Sequence, residues 1–579
     1  MTSHQIDPGV LRRAQEWLDG PYDETSKQEV RRWMNEDPRA LTDAFYTDLD
    51  FGTGGLRGVM GTGSSRVNRY TLGMATQGLA NYLNAQVEKP RRSVAISHDS
   101  RHQSRAFAEQ TAAILAANDI DAYLFPELRP TPLLSFAIRV LGCDAGVMIT
   151  ASHNPPEYNG YKVYWGDGGQ LVPPHDKGVI AEVRKVAPAA IRTSGGSGQV
   201  REIGAEVDRA YLDWLRSSAL SDAGKEDLKL VFTSLHGTGI TLLPKALSES
   251  GFTQVHLVAS QSEPDGAFPT VESPNPEEAG ALAEAVQLAE TIQADLVIGT
   301  DPDADRVGIA VRDFEGRMRL LNGNEAAAVL VDYLLQGHQA SGAPNDQRFI
   351  ASTIVTTQLL PALAEEYGVE CPQVLTGFKW IAELIRLREG RQQFIGGGEE
   401  SYGYLVGDAV RDKDAIGSAV FLAEIAAQAK AEGSSFYGRL VEIWLRHGLF
   451  VETGRSLTLK GQSGAEEIAQ MMHNIRENPP LELDGSRVVE IRDYQSGTAW
   501  IPGTSATSHL GLPASNVVQL RTEDGTLLTA RPSGTEPKIK FYLGLKAPLS
   551  SAEAIETVRG TLLEKARRIL DRMAQAPGS

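Results

Sequence analysis

Two strings in the chain place nucleophilic and acidic residues where a strand runs out into a loop. In Thr150-Ala-Ser-His-Asn-Pro-Pro-Glu-Tyr-Asn-Gly-Tyr-Lys-Val-Tyr164 an apolar run leads directly into Ser152, and Pro155 and Pro156 force the chain to turn. A serine there lies where open α/β sheets put their ligands, and it can act as a nucleophile if a base stands near. Neighbouring side chains in extended backbone diverge. Lys162 is therefore a better partner for proton transfer, or for phosphate charge, than the adjacent His153. In Asp301-Pro-Asp-Ala-Asp-Arg306 the three carboxylates alternate and can converge on one side of an extended loop. A hard divalent cation would resolve their repulsion, and oxygen ligands suit Mg2+. The glycine and distal glutamate of an EF-hand are missing, and no His or Cys stands beside them to suggest zinc.

Two later strings offer recognition groups. Gly396-Gly-Gly-Glu-Glu-Ser-Tyr-Gly-Tyr404 supplies Glu399, Glu400 and Ser401, which can accept and donate hydrogen bonds to vicinal hydroxyls beside glycines that admit a ligand closely. Adjacent glutamates suit glycoside hydrolysis poorly, since that chemistry needs carboxylates separated across the sugar ring. Arg531-Pro-Ser-Gly-Thr-Glu-Pro-Lys-Ile-Lys540 joins an arginine, two hydroxyls and free N–H groups around Gly534 into an anion cradle. Gly52-Thr-Gly-Gly-Leu-Arg-Gly58 is neither a Walker loop nor a dinucleotide fingerprint, and Arg57 is its useful group. Lys379, in Thr376-Gly-Phe-Lys-Trp380, could bind phosphate, although core packing explains Phe378 and Trp380 equally well.

The elements needed to position these strings are legible as rhythm. Residues 1–50 look like a helical lead-in. From about residue 92 strands and helices alternate: a strand at 93–97 running into Ser-His-Asp-Ser-Arg, a helix at 104–117, strands at 122–125 and 145–150. The rhythm returns near 228–258 and again near 349–367, which implies three related α/β domains with largely parallel sheets. After about residue 449 strand-like pieces precede one helix near the C-terminus. That helix is expected to open with a capping box at Ser550 and Glu553 and to carry Ile555, Val558, Leu562, Ile569 and Met573 on one face. The stretch 415–429 reads as a buried helix, and 194–198 and 461–464 read as surface loops.

With 579 residues, the chain is long enough for about three to five domains. Its net charge of −18 argues against a general nucleic-acid or membrane-binding surface. Two distant cysteines, Cys143 and Cys371, give no disulfide framework and fit a reducing, cytoplasmic setting. Neither a signal peptide nor a membrane-spanning run is visible.

Taken in order, the serine, metal, sugar and phosphate strings resemble the α-D-phosphohexomutase superfamily, and most closely its phosphoglucomutase/phosphomannomutase type, from about Phe51 to Phe541. The resemblance implies four domains around a central cleft: 1–205 with the phosphoserine loop, 206–316 with the metal loop, 317–447 with the sugar loop, and an α+β domain, 448–579, with the phosphate loop. It implies phosphorylation of Ser152 and a metal site of Ser152, Asp301, Asp303 and Asp305. Lys162 and Arg57 would be catalytic. Arg306, Lys379, Glu399, Ser401, Arg531, Ser533, Gly534 and Thr535 would bind substrate. The implied reaction interconverts hexose 1-phosphate and hexose 6-phosphate through a 1,6-bisphosphate, with Mg2+, in a monomer or weak dimer whose partners are small sugar phosphates. The Glu-Glu-Ser sugar loop resembles the glucose-favouring type. Mannose and pentose phosphates, a metal-dependent phosphatase and a sugar-phosphate sensor are the alternatives. Many relatives carry an aromatic-Asp-Ile-Arg-Gly string where this chain has Gly55-Leu-Arg-Gly58, but the arginine is kept.

Overall fold

The computed structural model describes residues 6–49, 55–342, 344–459, 461–533 and 537–575. The chain forms two compact units: Met1–Gly323 with Phe378–Gly396 and Ser401–Gly433, and Asn324–Gly377 with Gly397–Glu400 and Ser434–Ser579.

In the first unit the lead-in is three helices, Pro8–Asp19, Glu24–Glu36 and Pro38–Phe45, each started by an aspartate (Asp7, Asp23, Asp37) whose side chain accepts from a first-turn N–H. Trp17, Val30, Leu41 and Phe45 give them a small core of their own. Trp17 stacks on Tyr22 at 3.8 Å and meets Tyr70 edge-on at 5.7 Å. Tyr70 also donates its hydroxyl to Asp23 at 2.8 Å. These contacts fix the trio to the helix Arg69–Gln86.

Behind it stands a six-stranded sheet in the order Leu56–Val59, Tyr158–Trp165, Ala145–Ile149, Arg92–His98, Ile120–Leu124, Val200–Glu202. Tyr158–Trp165 runs antiparallel to both of its neighbours, and the other pairings are parallel, so the sheet is mixed. The parallel strands Val94–Ile96 and Val147–Ile149 are buried on both faces, as sheets covered by helices on each side require. A five-stranded sheet follows in the order Met318–Leu320, Val307–Arg312, Leu296–Thr300, Lys229–Thr233, Gln254–Leu257, again with one strand, Val307–Arg312, antiparallel to both neighbours and the other pairings parallel. The helix Ala415–Ala431 is apolar all round and buried as expected; its Glu424 is tolerated because Lys225 pairs with it at 3.1 Å.

In the second unit Arg348–Thr353 and Gln373–Val374 pair in parallel, and the strands Gln393–Gly398 and Tyr404–Val406 follow them in the chain. In the second unit the C-terminal region is an antiparallel sheet of eight strands between Leu449 and Ala547, covered by the helices Gly461–Glu477 and Ile555–Ala574. Three α/β segments and a distinct α+β segment thus match the expected fold class. Two local expectations fail. Residues 461–464 open a helix rather than a loop, because Ile468, Met471, Met472 and Ile475 bury one face of the turns that follow. The capping box at Ser550 and Glu553 does not form; a short 3-10 turn, Ala552–Ala554, intervenes and the α-helix starts at Ile555. Among the described residues no helix is long and apolar enough to cross a membrane.

Asp414 caps the buried helix, accepting from Gly417 N–H at 2.9 Å and from the Tyr211 hydroxyl at 2.7 Å. Burial nevertheless pushes its carboxyl up to about 6. The unfolded carboxyl ionises first, so stability from this group is present below about pH 4 and is lost as the pH rises to about 6, a change of roughly 3 kcal/mol. Thermal melts of Asp414→Asn and the parent are therefore expected to diverge, the variant gaining relative stability from about pH 4 to about pH 6. A difference that stays constant with pH would refute this assignment.

Candidate functional site

Ser152 sits on the loop between the strand Ala145–Ile149 and its antiparallel neighbour Tyr158–Trp165, and it is buried. The loop's own backbone bonds are two turn contacts, Asn154 N–H to Ala151 O and Tyr158 N–H to Pro155 O, which leave other carbonyls in need of partners. Arg101 supplies them. Its Nη1 donates to the carbonyls of Pro155 (2.7 Å) and Tyr158 (3.0 Å), and its Nη2 to those of Ser152 (2.6 Å) and Asn154. Asp99, 3.3 Å away, neutralises the guanidinium, and Phe268 covers it at 4.9 Å.

Held this way, Ser152 adopts φ = 52°, the left-handed region that only a small fraction of non-glycine residues enter. Its Oγ donates to Asp301 Oδ2 at 2.6 Å and lies 3.1 Å from His153 Nδ1. The serine and histidine therefore do meet, contrary to the expectation from extended backbone. The positive φ removes the alternation on which that expectation rested. Burial, together with the positive charges of Arg306 and Arg57, pushes His153 down to about 3, so its ring is neutral at physiological pH.

The acidic string occupies the matching place in the next sheet, between Leu296–Thr300 and Val307–Arg312. It too contains a left-handed residue, Ala304 at φ = 52°. Asp301, Asp303 and Asp305 are at most 2% exposed, and one oxygen of each lies within 4.8 Å of the others. Lys162 Nζ donates to Asp303 Oδ2 (2.7 Å) and Asp305 Oδ2 (2.9 Å), and Thr131 Oγ1 to Asp303 Oδ2 (2.9 Å). The amides of Asp305 and Arg306 donate to Asp301 Oδ1 at 3.1 and 3.0 Å. Oδ1 of Asp303 and Oδ1 of Asp305 are buried with no hydrogen-bond partner. Two orphaned carboxylate oxygens beside a third carboxylate fit a hard cation, in an all-oxygen donor set of the kind Mg2+ takes.

Charge coupling sorts the three acids. Burial, then the neighbouring Asp303 and Asp305, pushes Asp301 well above the usual carboxylate range. Burial would raise Asp305 also, but Lys162, Lys413 and Arg306 outweigh it and hold this carboxyl low. Burial would lower Lys162, but Asp303 and Asp305 hold it above the ordinary lysine range, so it is a protonated cation.

The first unit thus assembles Ser152, Lys162, Asp301, Asp303 and Asp305 into one contact network. Arg57 joins it through Asn154 Oδ1, 3.1 Å from its Nη1, and Arg306 through Glu277 and Asp305. Lys379 lines a cavity of about 290 Å³ with Trp165, His175 and Arg386. Ser401 follows the strand Gln393–Gly398 in the chain. In the second unit Glu399 is buried and accepts from Gly377 N–H at 2.8 Å. Arg531 is the penultimate residue of the strand Leu527–Pro532, and Ser533 N–H bonds Lys538 O at 2.7 Å. Gly534 and Thr535 lie outside the described residues.

Sequence reasoning passed over Arg101, Thr131 and Lys413. The string containing Arg101 was visible as the end of a strand. Lys413 lies in Arg411-Asp-Lys-Asp414, four consecutive charged residues between two apolar runs, all buried. Such a string is expensive unless its charges are used, and that was the available signal.

Comparison with known proteins agrees with the geometry. Models described as phosphoglucomutase/phosphomannomutase, alpha/beta/alpha domains I, II and III match residues 48–189, 209–316 and 322–443. A phosphoglucomutase of Staphylococcus epidermidis is 40% identical over 518 residues, covering 89% of this chain and 93% of the relative. One from Staphylococcus aureus is 40% identical over 510 residues, covering 87% and 91%. Among solved structures, a phosphoglucomutase/phosphomannomutase family protein from Burkholderia thailandensis superposes with a TM-score of 0.67 at 19% identity, covering 92% of this chain and 99% of its own. Parafusin, a phosphoglucomutase from Paramecium, in its open form, gives 0.68 at 18%, covering 92% and 96%. At these identities the structural likeness is one of fold.

Arg101 touches four loop carbonyls with a planar fork that an ammonium cannot reproduce. Arg101→Lys is expected to lower kcat by about 100-fold through misplacement of Ser152, with the melting temperature little changed. Parent-like turnover in that variant would show that the loop holds its shape without the guanidinium.

Proposed function

The chain belongs to the phosphoglucomutase/phosphomannomutase family, and from that premise we propose that it interconverts glucose 1-phosphate and glucose 6-phosphate through phosphorylated Ser152. The observation that carries the reading is the contact between the Ser152 hydroxyl and Asp301, inside a carboxylate cluster suited to a metal and neutralised by Lys162. Arg57 and Arg306, whose charge already acts on the adjacent His153, would face a phosphoryl group on Ser152 Oγ.

Asp301, Asp303 and Asp305 would hold Mg2+, together with a phosphoryl oxygen on Ser152. When bound, the ion supplies Lewis-acid stabilisation of charge on the phosphoryl oxygens. The chain's own residues do the rest. Phospho-Ser152 gives its phosphoryl to the free sugar hydroxyl: the bond from phosphorus to the serine oxygen breaks, and one to the sugar oxygen forms. The hydroxyl proton passes to a neighbouring base, and His153, neutral and 3.1 Å from the serine oxygen, is placed to take or return a proton there. Lys162, kept protonated, and Arg57 and Arg306 offset the charge spreading over the transferring group. The resulting hexose 1,6-bisphosphate turns over in the site and returns its other phosphoryl to Ser152. Glu399 and Ser401 would accept sugar hydroxyls. Lys379, Arg531, Ser533, Gly534 and Thr535 would hold the phosphate that is not reacting.

We assign these roles to the four segments 1–205, 206–316, 317–447 and 448–579, each contributing one loop. Small sugar phosphates are the partners this reading requires.

A coupled assay for glucose 6-phosphate from glucose 1-phosphate, with Mg2+ and a trace of glucose 1,6-bisphosphate, tests the reading. Ser152→Ala is expected to lose essentially all turnover while calorimetry still detects sugar-phosphate binding. Full activity in that variant, or free phosphate released as the main product by the parent, would sink the mutase reading. Asp303→Asn is expected to raise the Mg2+ concentration needed for half-maximal rate; an unchanged requirement would remove the aspartates as metal ligands.

A further inference from the structure

The metal-site aspartates face two ammonium groups, and the second comes from a string to which the reaction above gives no part. Lys413 Nζ lies 3.2 Å from Asp305 Oδ2 and 2.9 Å from Asp412 Oδ1. Asp412 is itself fixed: its Oδ2 accepts from the Tyr164 hydroxyl (2.7 Å) and Gln170 Nε2 (2.9 Å), and its Oδ1 also accepts from the Lys413 N–H (2.8 Å). The lysine stem is confined as well. The Phe378 ring lies 5.6 Å from its ammonium, and a Cβ at residue 403 would sit 2.1 Å from its Cδ, so only glycine at 403 leaves it room. An acceptor built on one side and a carboxylate of the cluster on the other hold a positive charge permanently beside the metal site.

Resting on the reading that Asp301, Asp303 and Asp305 are metal ligands, we propose that Lys413, anchored by Asp412, is a built-in counter-cation that sets how tightly those ligands bind their divalent ion. Without the ion, Lys413 shares with Lys162 the work of neutralising Asp303 and Asp305 in a buried place. With the ion bound, the same ammonium is a like charge a few ångströms away and weakens binding. Asp412 keeps it there, because the ammonium retains a hydrogen-bond acceptor when Asp305 turns to the metal. The pair therefore stabilises the metal-free site and restrains the loaded one, so that affinity is moderate by construction.

The two partners must then act in opposite directions, which a merely structural pair would not do. The experiment measures Mn2+ affinity of the full-length chain by electron paramagnetic resonance, with Mg2+ in competition, all variants being matched in Ser152 phosphorylation by intact mass. Lys413→Met keeps the stem and is expected to tighten Mn2+ binding about tenfold or more. Asp412→Asn removes the negative charge that anchors the lysine and is expected to weaken Mn2+ binding severalfold. If Lys413→Met folds poorly, Lys413→Gln carries the same expectation, read also as a larger rise in melting temperature on adding Mn2+ than the parent shows. Weaker or unchanged binding in the folded Lys413 variant overturns the proposal while leaving the metal assignment intact. Failure of the parent to bind Mn2+, or indifference of its binding to Asp303→Asn, overturns the metal reading and this one with it.

Discussion

Everything in the first unit that looks like chemistry depends on burying three carboxylates within a few ångströms of one another. Such a cluster is unfavourable in a low-dielectric interior unless cations face it and hydrogen bonds fill the remaining lone pairs. Lys162, Lys413, Thr131, the Ser152 hydroxyl and two backbone amides provide this for four of the six oxygens. Lys162 belongs to the strand that follows the serine loop, and Lys413 to the turn before the buried helix. Compensating the charge therefore also ties together three separated parts of the sequence. The serine loop and an acidic loop from different sheets meet because the buried carboxylates need the cation that Lys162 brings from the strand after the serine loop.

The same local architecture serves both loops. In each case a buried strand ends, a short loop with one left-handed residue follows, and the chain returns antiparallel along the strand it has just left. The residues 399–403 also lie between two successive strands. The hairpin position is useful because the backbone bonds of its two strands are satisfied, leaving the loop free to be shaped by outside contacts. Arg101 does this for the serine loop. The lead-in helices do something comparable for Arg57: Ser65 N–H bonds Ala44 O at 3.1 Å and its hydroxyl bonds Asp43 O at 2.7 Å, bracing the turn that follows the arginine's strand. A segment without any motif thus acquires a mechanical part in the site.

Much of this was legible from residue order. Ser152 and the three aspartates stand out because apolar strands run into them, and proline or repeated charge rules out a bland continuation. The α/β rhythm and the switch after residue 449 follow from pattern periods of 2 and 3.6. What escaped was whatever depends on distant partners. Arg101 is one arginine among many until its carbonyl acceptors, some 50 residues away, are brought to it. The Ser152–His153 contact depends on a single dihedral angle, which composition does not encode. The loop expected at 461–464 failed because packing of Ile468 and Met472 overrides the weak helix preference of glycine and serine.

Ser152 holds its left-handed backbone at a cost on the order of 1 kcal/mol that glycine would not incur. On the proposed mechanism, stability and reactivity therefore pull this position toward different residues. In a lineage that no longer needed the hydroxyl, nothing would oppose drift to glycine, and the exchange would make the loop easier to fold. The residue at this point in a related chain is thus a marker of occupation: serine where the chemistry is still in use, glycine where the scaffold has been kept for something else.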